Sequence, residues 1–285
     1  MRKLLTYLFL CICLLPILLG IGYSISYSLG LTGLLSEGFT WAHWRTFFTS
    51  GNLLSSTLYT LGLGVVSLLI AVAAGLVVSW TGGRYDKGLS QSHGSSLSEL
   101  GILVPLLFAP VTAAFCWYQI LSPGGFIARL SYHLGLITDT TDFPRIVNDE
   151  WGIGIVICHV FLILPVFTYL FTATARKHDL AALYQQSRSL GSGSVHFFRT
   201  VYAPIVLFKN SRVLWLYLIF LLGTYEVPLL LGSSSPQTFS VFIADKLTKF
   251  NLADIPAGHC MAIWYTLLIT VMTLLYLRWQ RRVIW

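Results

Sequence analysis

Six long apolar runs constrain the fold of this chain more than any other feature. Each approaches the roughly 20 residues that an α-helix needs to cross a hydrocarbon core about 30 Å thick. No lysine or arginine lies inside them. The runs are, approximately, Leu4–Leu29, Leu53–Trp80, Leu100–Leu121, Gly152–Ala175, Val213–Leu231 and Ala257–Leu277. They predict an all-α, polytopic membrane protein with six transmembrane helices.

The composition supports this class and excludes a soluble domain. Hydrophobic residues make up 55% of the chain and charged residues 10%, whereas a soluble domain carries roughly 25% charged residues. The lysines and arginines gather in alternate loops. Those on the less basic side are only Arg45, Arg129, Arg145, Lys246 and Lys249. Because cytoplasmic loops carry the excess of basic residues, both termini are predicted to be cytoplasmic. The same bias accounts for the net charge of +7, so no nucleic-acid partner is expected.

One polar stretch interrupts the predicted cytoplasmic side between the fourth and fifth runs, and its spacing is specific. Three polar or small residues lie six, five and four positions before Gly191. An apolar pair and a proline lie ten, twelve and thirteen positions after it. The positions before and after the glycine are Gln185, Gln186, Ser187, Val201, Ala203 and Pro204.

This spacing resembles the EAA loop of the permeases of ABC importers, E-A-A-x-x-x-G, then nine residues, then I-x-L-P. Gly191 and Pro204 are identical to the pattern, while the E-A-A positions are occupied by Gln, Gln and Ser. The likeness extends over Asn52–Leu76, which looks like the start of a permease core, and includes Asp179 ahead of the loop. Gly223–Ile243 looks like the corresponding segment of permeases for iron, polyamine, thiamine or phosphonate-type solutes.

The resemblance implies a division of the chain and a set of partners. Residues 1–51 would form the first transmembrane helix and an outer loop, and residues 52–285 a permease core with a cytoplasmic coupling loop at 176–212. The chain would be a multi-pass protein of the bacterial cytoplasmic (inner) membrane. It would work by alternating access with two ABC ATPase subunits, a second permease chain (a paralogue or a copy of itself) and a periplasmic or lipid-anchored solute-binding protein.

The family loop consists of two short helices with a turn at the glycine, and it docks in a groove of the ATPase. A glycine takes a positive φ at low cost, so Gly191 is predicted to end the first helix. Apolar anchors for the groove would come from Val195, Phe197 and Phe198, with Arg188, His196 and Arg199 as a polar rim. The alternative for the same residues is an amphipathic connector that lies against lipid headgroups.

Glu226 is the one acid predicted to lie well inside a run, between Gly223 and Pro228. An ionisable residue at membrane depth indicates function, so Glu226, with its neighbour Tyr225, is a candidate for the translocation path. A structural role near the outer boundary is the alternative. His159 is interpreted as a hydrogen-bond partner between helices. A secondary transporter driven by an ion gradient is the alternative function, and Glu226 and His159 are the only residues that would suit it.

No motif for catalysis, a cofactor or a metal appears in the sequence. There is no G-x-x-x-x-G-K-[ST] phosphate loop, so ATP would be bound by separate subunits. The histidines lack metal-ligand spacing, and the five cysteines form no C-x-x-C pair. The chain is therefore predicted not to be an enzyme, and its cysteines to be packing residues.

Overall fold

The computed structural model describes residues 2–33, 38–49, 52–82, 104–248 and 251–283, and over these ranges it contains helices and no strands. The prediction of an all-α chain is confirmed. The α-helices in chain order are α1 (Arg2–Ser28), α2 (Ala42–Thr49), α3 (Asn52–Gly82), α4 (Pro110–Leu121), α5 (Phe126–His133), α6 (Ile153–Lys177), α7 (Leu180–Ser189), α8 (Ser194–Phe197), α9 (Ala203–Gly223), α10 (Glu226–Leu231), α11 (Phe239–Thr248) and α12 (Ile255–Val283). Short 3-10 turns lie at Val104–Leu107, Thr140–Asp142 and Leu252–Asp254, and one π-helical turn lies at Phe198–Tyr202.

Among the described residues, five helical segments are long and apolar enough to cross a membrane. Large apolar side chains are exposed along them, among them Ile17, Leu69, Tyr169, Leu216 and Leu275. Such exposure suits contact with lipid and not with water. The chain is a membrane protein. The five segments are Phe9–Ser28, Leu53–Gly82, Ile153–Lys177, Ser194–Gly223 and Leu252–Arg282.

The third predicted span has no full-length counterpart among these five. Its described part consists of the turn at Val104–Leu107 and the 12-residue helix α4, which is shorter than a membrane crossing requires. Pro110 stands in the first turn of α4, where its missing N–H costs no hydrogen bond. The start of the predicted run, up to residue 103, lies outside the described residues.

The fifth predicted span is wrong at both ends. The helical segment begins at Ser194, far ahead of the predicted start at Val213, and it ends at Gly223 instead of continuing to Leu231. Thr224 has extended backbone angles, and α10 begins only at Glu226. Glu226 therefore does not lie within a continuous spanning helix. We call Thr224–Tyr225 the helix break.

The chain divides into two compact units. In the unit formed by residues 1–57 and 239–285, aromatic contacts join α1 and α2 to α12. The rings of Tyr27 and His259 are 4.6 Å apart, and those of Phe48 and Trp264 are 5.5 Å apart. The predicted boundary between residues 51 and 52 concerns where a permease-like core begins, which this grouping does not test, so it stays a prediction.

In the unit formed by residues 58–238, small residues on α3 permit close helix contacts. A Cβ added at Gly64 would lie 2.9 Å from Leu222 of α9, and one added at Gly75 would lie 3.2 Å from Phe167 of α6. Cβ atoms are not found at the first distance and rarely at the second. Glycine therefore lets α3 approach both helices closely.

Candidate functional site

The stretch that resembles the EAA loop forms a helical hairpin, which we define as Leu180–Tyr202. Its first helix, α7, ends at Ser189, and Gly191, two residues later, has a φ of +85°. The Gly191 N–H donates to the Arg188 carbonyl and the Ser192 N–H donates to the Ser187 carbonyl, both at 3.0 Å. This pair of bonds defines a Schellman motif, which needs a left-handed residue at the position of Gly191. The predicted conformation of this glycine is confirmed.

The second arm of the hairpin runs into α9 without interruption. It consists of α8 and the π-helical turn Phe198–Tyr202, and α9 follows with Pro204 in its first turn. A proline cannot donate the hydrogen bond that an α-helix expects at its position. The wider π turn just ahead of it is a common way to accommodate such a defect inside a helix.

An aromatic cluster fills the interior of the hairpin. The indole of Trp80, near the end of α3, is 5.4 Å from the ring of Tyr184, 6.1 Å from Phe197, 5.5 Å from Phe198 and 5.0 Å from Tyr202. The rings of Tyr184 and Tyr202 are almost fully buried. Edge-to-face and offset pairs at such distances stabilise beyond the area they bury. The hairpin is therefore held firmly against the end of α3.

Two hydrogen bonds give this packing a fixed register. The hydroxyls of Tyr184 and Ser194 are 2.6 Å apart and join the two arms of the hairpin. The hydroxyls of Tyr202 and Ser79 are 2.9 Å apart and join the hairpin to α3. Because hydroxyl pairs are directional, they restrain rotation of the arms where aromatic contacts alone would tolerate sliding.

The burial of Phe197 corrects one part of the sequence interpretation. Phe197 is only 2% exposed and contacts Trp80 and Tyr184, so it is not available as an anchor for a partner. Phe198 is half-buried in the same cluster. Trp80 lies at the centre of this cluster.

The apolar residues that the hairpin does expose are different ones. Leu190 is 88% exposed at the end of α7, and Val195 is 66% exposed at the start of α8. They flank the turn at Gly191. Beside Val195 lies an open groove of about 190 Å³ with an almost entirely apolar surface. Its lining residues are Val77, Trp80, Ser194, Val195 and Phe198.

The polar positions of the pattern surround this exposed apolar pair. Gln185 and Gln186 are exposed on α7, and Ser187 is half-buried, with its hydroxyl donating to the Tyr184 carbonyl at 2.9 Å. The three basic residues predicted to form a rim, Arg188, His196 and Arg199, are exposed, whereas Val201 and Ala203 are half-buried and Pro204 is exposed. Leu190 was not predicted from the sequence as an anchor, although its position directly before Gly191 places it at the turn.

At its other end α9 stops at the helix break. The Thr224 hydroxyl donates to the Leu221 carbonyl at 2.8 Å, and Gly223 is the last helical residue. His159 of α6, only 2% exposed, has its Nε2 3.1 Å from the Thr224 hydroxyl and its Nδ1 3.5 Å from the Ser67 hydroxyl of α3. The predicted role of His159 as a link between helices is confirmed.

The two residues predicted for a translocation path follow the break directly. Tyr225 is 37% exposed, and Glu226, the first residue of α10, is also exposed. His159 lies six residues after the start of α6, which places the break about 9 Å along α6 at a rise of about 1.5 Å per residue. Glu226 is thus exposed on this single chain, two residues after the contact between Thr224 and α6.

Within the described ranges, no group of three or more His, Cys, Asp or Glu side chains is placed to hold a metal ion.

Comparison with protein-family models finds no match, and comparison with curated proteins finds none either. Solved structures do match. One chain of a bacterial ABC transporter involved in the import of the acidic polysaccharide alginate aligns with a TM-score of 0.73 and 17% identity, over 99% of this chain and 94% of that chain. A chain of the bacterial alginate ABC transporter in complex with an alginate pentasaccharide-bound periplasmic protein aligns with a TM-score of 0.72 and 17% identity, over 99% and 93%.

At 17% identity these matches establish the fold. The likeness spans almost the whole of both chains, so it includes the hairpin and the break and is not confined to a pair of helices. A shared fold alone does not assign a function, and the site itself carries that argument.

Proposed function

We propose that this chain is the permease subunit of an ATP-driven ABC importer in the bacterial cytoplasmic membrane. The observation that carries the proposal is the hairpin. Its glycine turn stands at the spacing of the EAA loop, in a chain whose fold matches a chain of an ABC transporter over 99% of its length. Both termini would be cytoplasmic, and residues 100–121 would supply the sixth crossing.

The hairpin would be the surface that docks on the ATPase. Leu190 and Val195 project on either side of the turn, and full burial of an exposed leucine or valine side chain contributes about 1.5–3 kcal/mol. Gln185, in place of the acid of the pattern, would contribute hydrogen bonds without a charge. The aromatic cluster around Trp80 would carry the motion of the hairpin into α3, because a closely packed interior transmits displacement.

The solute would cross between this chain and a second permease chain. An exposed carboxylate at membrane depth is costly in contact with lipid. Glu226 would avoid this cost on a face that contacts a partner chain and a hydrated path. Tyr225 and Glu226 are therefore proposed to line the path. As in the family that the chain resembles, two ATPase subunits and a solute-binding protein would complete the assembly, with ATP bound by the ATPases.

Co-purification in detergent with a candidate ABC ATPase from the same organism tests the proposal. Leu190→Asp places a charge in the proposed apolar contact and should abolish the complex. Leu136→Asp makes the same change at another exposed leucine, 73% exposed and outside the hairpin, and should leave the complex intact.

Retention of the complex by Leu190→Asp would contradict this docking surface. Absence of any complex, together with gradient-driven uptake by this chain alone in liposomes, would instead establish a secondary transporter.

A further inference from the structure

His159 sits where three elements of one compact unit meet. Its imidazole is enclosed between Ser67 of α3 and Thr224 at the end of α9, and all three side chains are buried. No residue of the hairpin takes part in these contacts. A fully enclosed polar group needs partners to offset the loss of water, and here the partners come from the two neighbouring helices.

The direction of the hydrogen bonds follows from Thr224. Its hydroxyl proton points to the Leu221 carbonyl at 2.8 Å, so its oxygen is left to accept. The atom 3.1 Å away, His159 Nε2, therefore carries the donating proton. A neutral imidazole with a proton on Nε2 has a lone pair on Nδ1, which faces the Ser67 hydroxyl at 3.5 Å.

This relay ends on the Leu221 carbonyl, which loses its usual helical donor at the helix break. In an uninterrupted α-helix the Leu221 carbonyl would accept from the N–H of residue 225. Here α9 stops at Gly223, and that carbonyl instead accepts from the Thr224 backbone N–H at 3.4 Å and from the Thr224 hydroxyl at 2.8 Å. The Tyr225 carbonyl in turn accepts from the Leu229 N–H at 3.0 Å and starts α10. The break is thus fixed from its α9 side by Thr224.

We propose that His159 is a positioning residue for the solute path: acting through Thr224, it holds the helix break in the form that presents Tyr225 and Glu226. The assignment of these two residues to a path rests on the proposed function. The hold of His159 on the break does not.

A second buried polar link between α6 and α9 serves as a matched control. The Asn210 amide donates to the Thr174 hydroxyl at 2.9 Å and to the Val206 carbonyl at 2.8 Å. Like His159 and Thr224, this pair joins α6 to α9 inside the protein. It lies away from the break, so its loss should weaken the packing and leave the break unchanged.

Spin labels on either side of the break provide the measurement. Phe220 of α9 is 46% exposed and Leu229 of α10 is 48% exposed, so both accept a label after substitution by cysteine. The five native cysteines, Cys11, Cys13, Cys116, Cys158 and Cys260, are first replaced by alanine or serine. Pulsed electron spin resonance of the full chain in nanodiscs then gives the distribution of distances between positions 220 and 229.

With the native residues at positions 159 and 224, a single distance should dominate. His159→Leu and Thr224→Val should each favour a second distance. The population at that second distance, relative to the first, should rise by about three- to tenfold, the factor that one buried hydrogen bond supports. His159→Gln, which keeps an N–H at similar reach, should restore the single distance. Asn210→Leu should lower the melting temperature and keep the single distance.

An unchanged single distance in Thr224→Val would overturn the proposal, and this variant decides the matter if His159→Leu fails to fold. The same second distance in Asn210→Leu would also overturn it, because the effect would then reflect general loosening. The measurement needs no ATPase. A missing ATPase complex would leave this result standing, and an unchanged distance would leave the docking proposal standing.

Discussion

The two ends of α9 are held by different kinds of contact. At the hairpin, aromatic rings from three elements surround Trp80. At the helix break, a histidine and a threonine meet through single hydrogen bonds. Truncation of a buried aromatic ring costs about 3–5 kcal/mol, whereas one hydrogen bond contributes about 0.5–1.5 kcal/mol. The hairpin end is therefore built to move as one body, and the break end can rearrange at a small cost.

The largest effect should come from the aromatic interior of the hairpin. Phe197→Ala removes a ring that is 2% exposed and should lower the free energy of unfolding by about 3–5 kcal/mol. Unfolding in mixed micelles measures this. Val195→Ala, two positions earlier and 66% exposed, should change it by less than about 0.5 kcal/mol. Equal losses in the two variants would contradict the assignment of Phe197 to the interior and of Val195 to the exposed surface proposed for docking.

A smaller effect should follow at the turn between α7 and α8. Gly191→Ala forces a side chain onto a backbone at φ +85°, which costs roughly 1–2 kcal/mol. No atom lies within 4 Å of the added Cβ, so the cost comes from the backbone alone. Gly193→Ala is the control, because that Cβ is equally unobstructed and φ is −76°. Thermal unfolding in detergent should separate the two variants, and equal melting temperatures would contradict the prediction.

Removal of a single hydroxyl at each end of α9 tests the difference between the two ends. Tyr202→Phe removes the bond to Ser79, and Thr224→Val removes the bonds to His159 and Leu221. Each should cost about 0.5–1.5 kcal/mol of stability. Only Thr224→Val should alter the distance between positions 220 and 229. A changed distance in Tyr202→Phe would mean that the two ends do not differ in kind.

The smallest effect is expected from Ser67→Ala. The Ser67 hydroxyl is 3.5 Å from His159 Nδ1, a long distance for a hydrogen bond. Its loss should lower the free energy of unfolding by about 0.5 kcal/mol or less. The melting temperature should therefore fall by less than it does in Thr224→Val. A loss as large as that of Thr224→Val would indicate that α3, and not α9, provides the main hold on the imidazole.

Local signals made parts of this site predictable from sequence. Gly191 stands next to a helical pattern and needs no distant partner to adopt its positive φ, so its conformation could be inferred. The same holds for most of the apolar spans, whose length and composition are sufficient. The continuous apolar run over Val213–Leu231 gave no sign of the break at Thr224–Tyr225.

Long-range contacts account for what the sequence did not reveal. Ser79 and Tyr202 are 123 residues apart in the chain, and no spacing rule joins them. Phe197 and Val195 look equally suitable as surface anchors in the sequence, and only the position of Trp80 decides that one is buried. At the break, Thr224 contacts His159, which lies 65 residues earlier in the chain.

Both ends of α9 are linked to α3, one through His159 and the other through Tyr202. Ser67, which faces the imidazole at the break, and Ser79, which bonds the hairpin, both lie on α3. Twelve residues of helix separate them by about 18 Å. Because an α-helix is stiff along its axis, α3 connects the hairpin to the helix break as one rod.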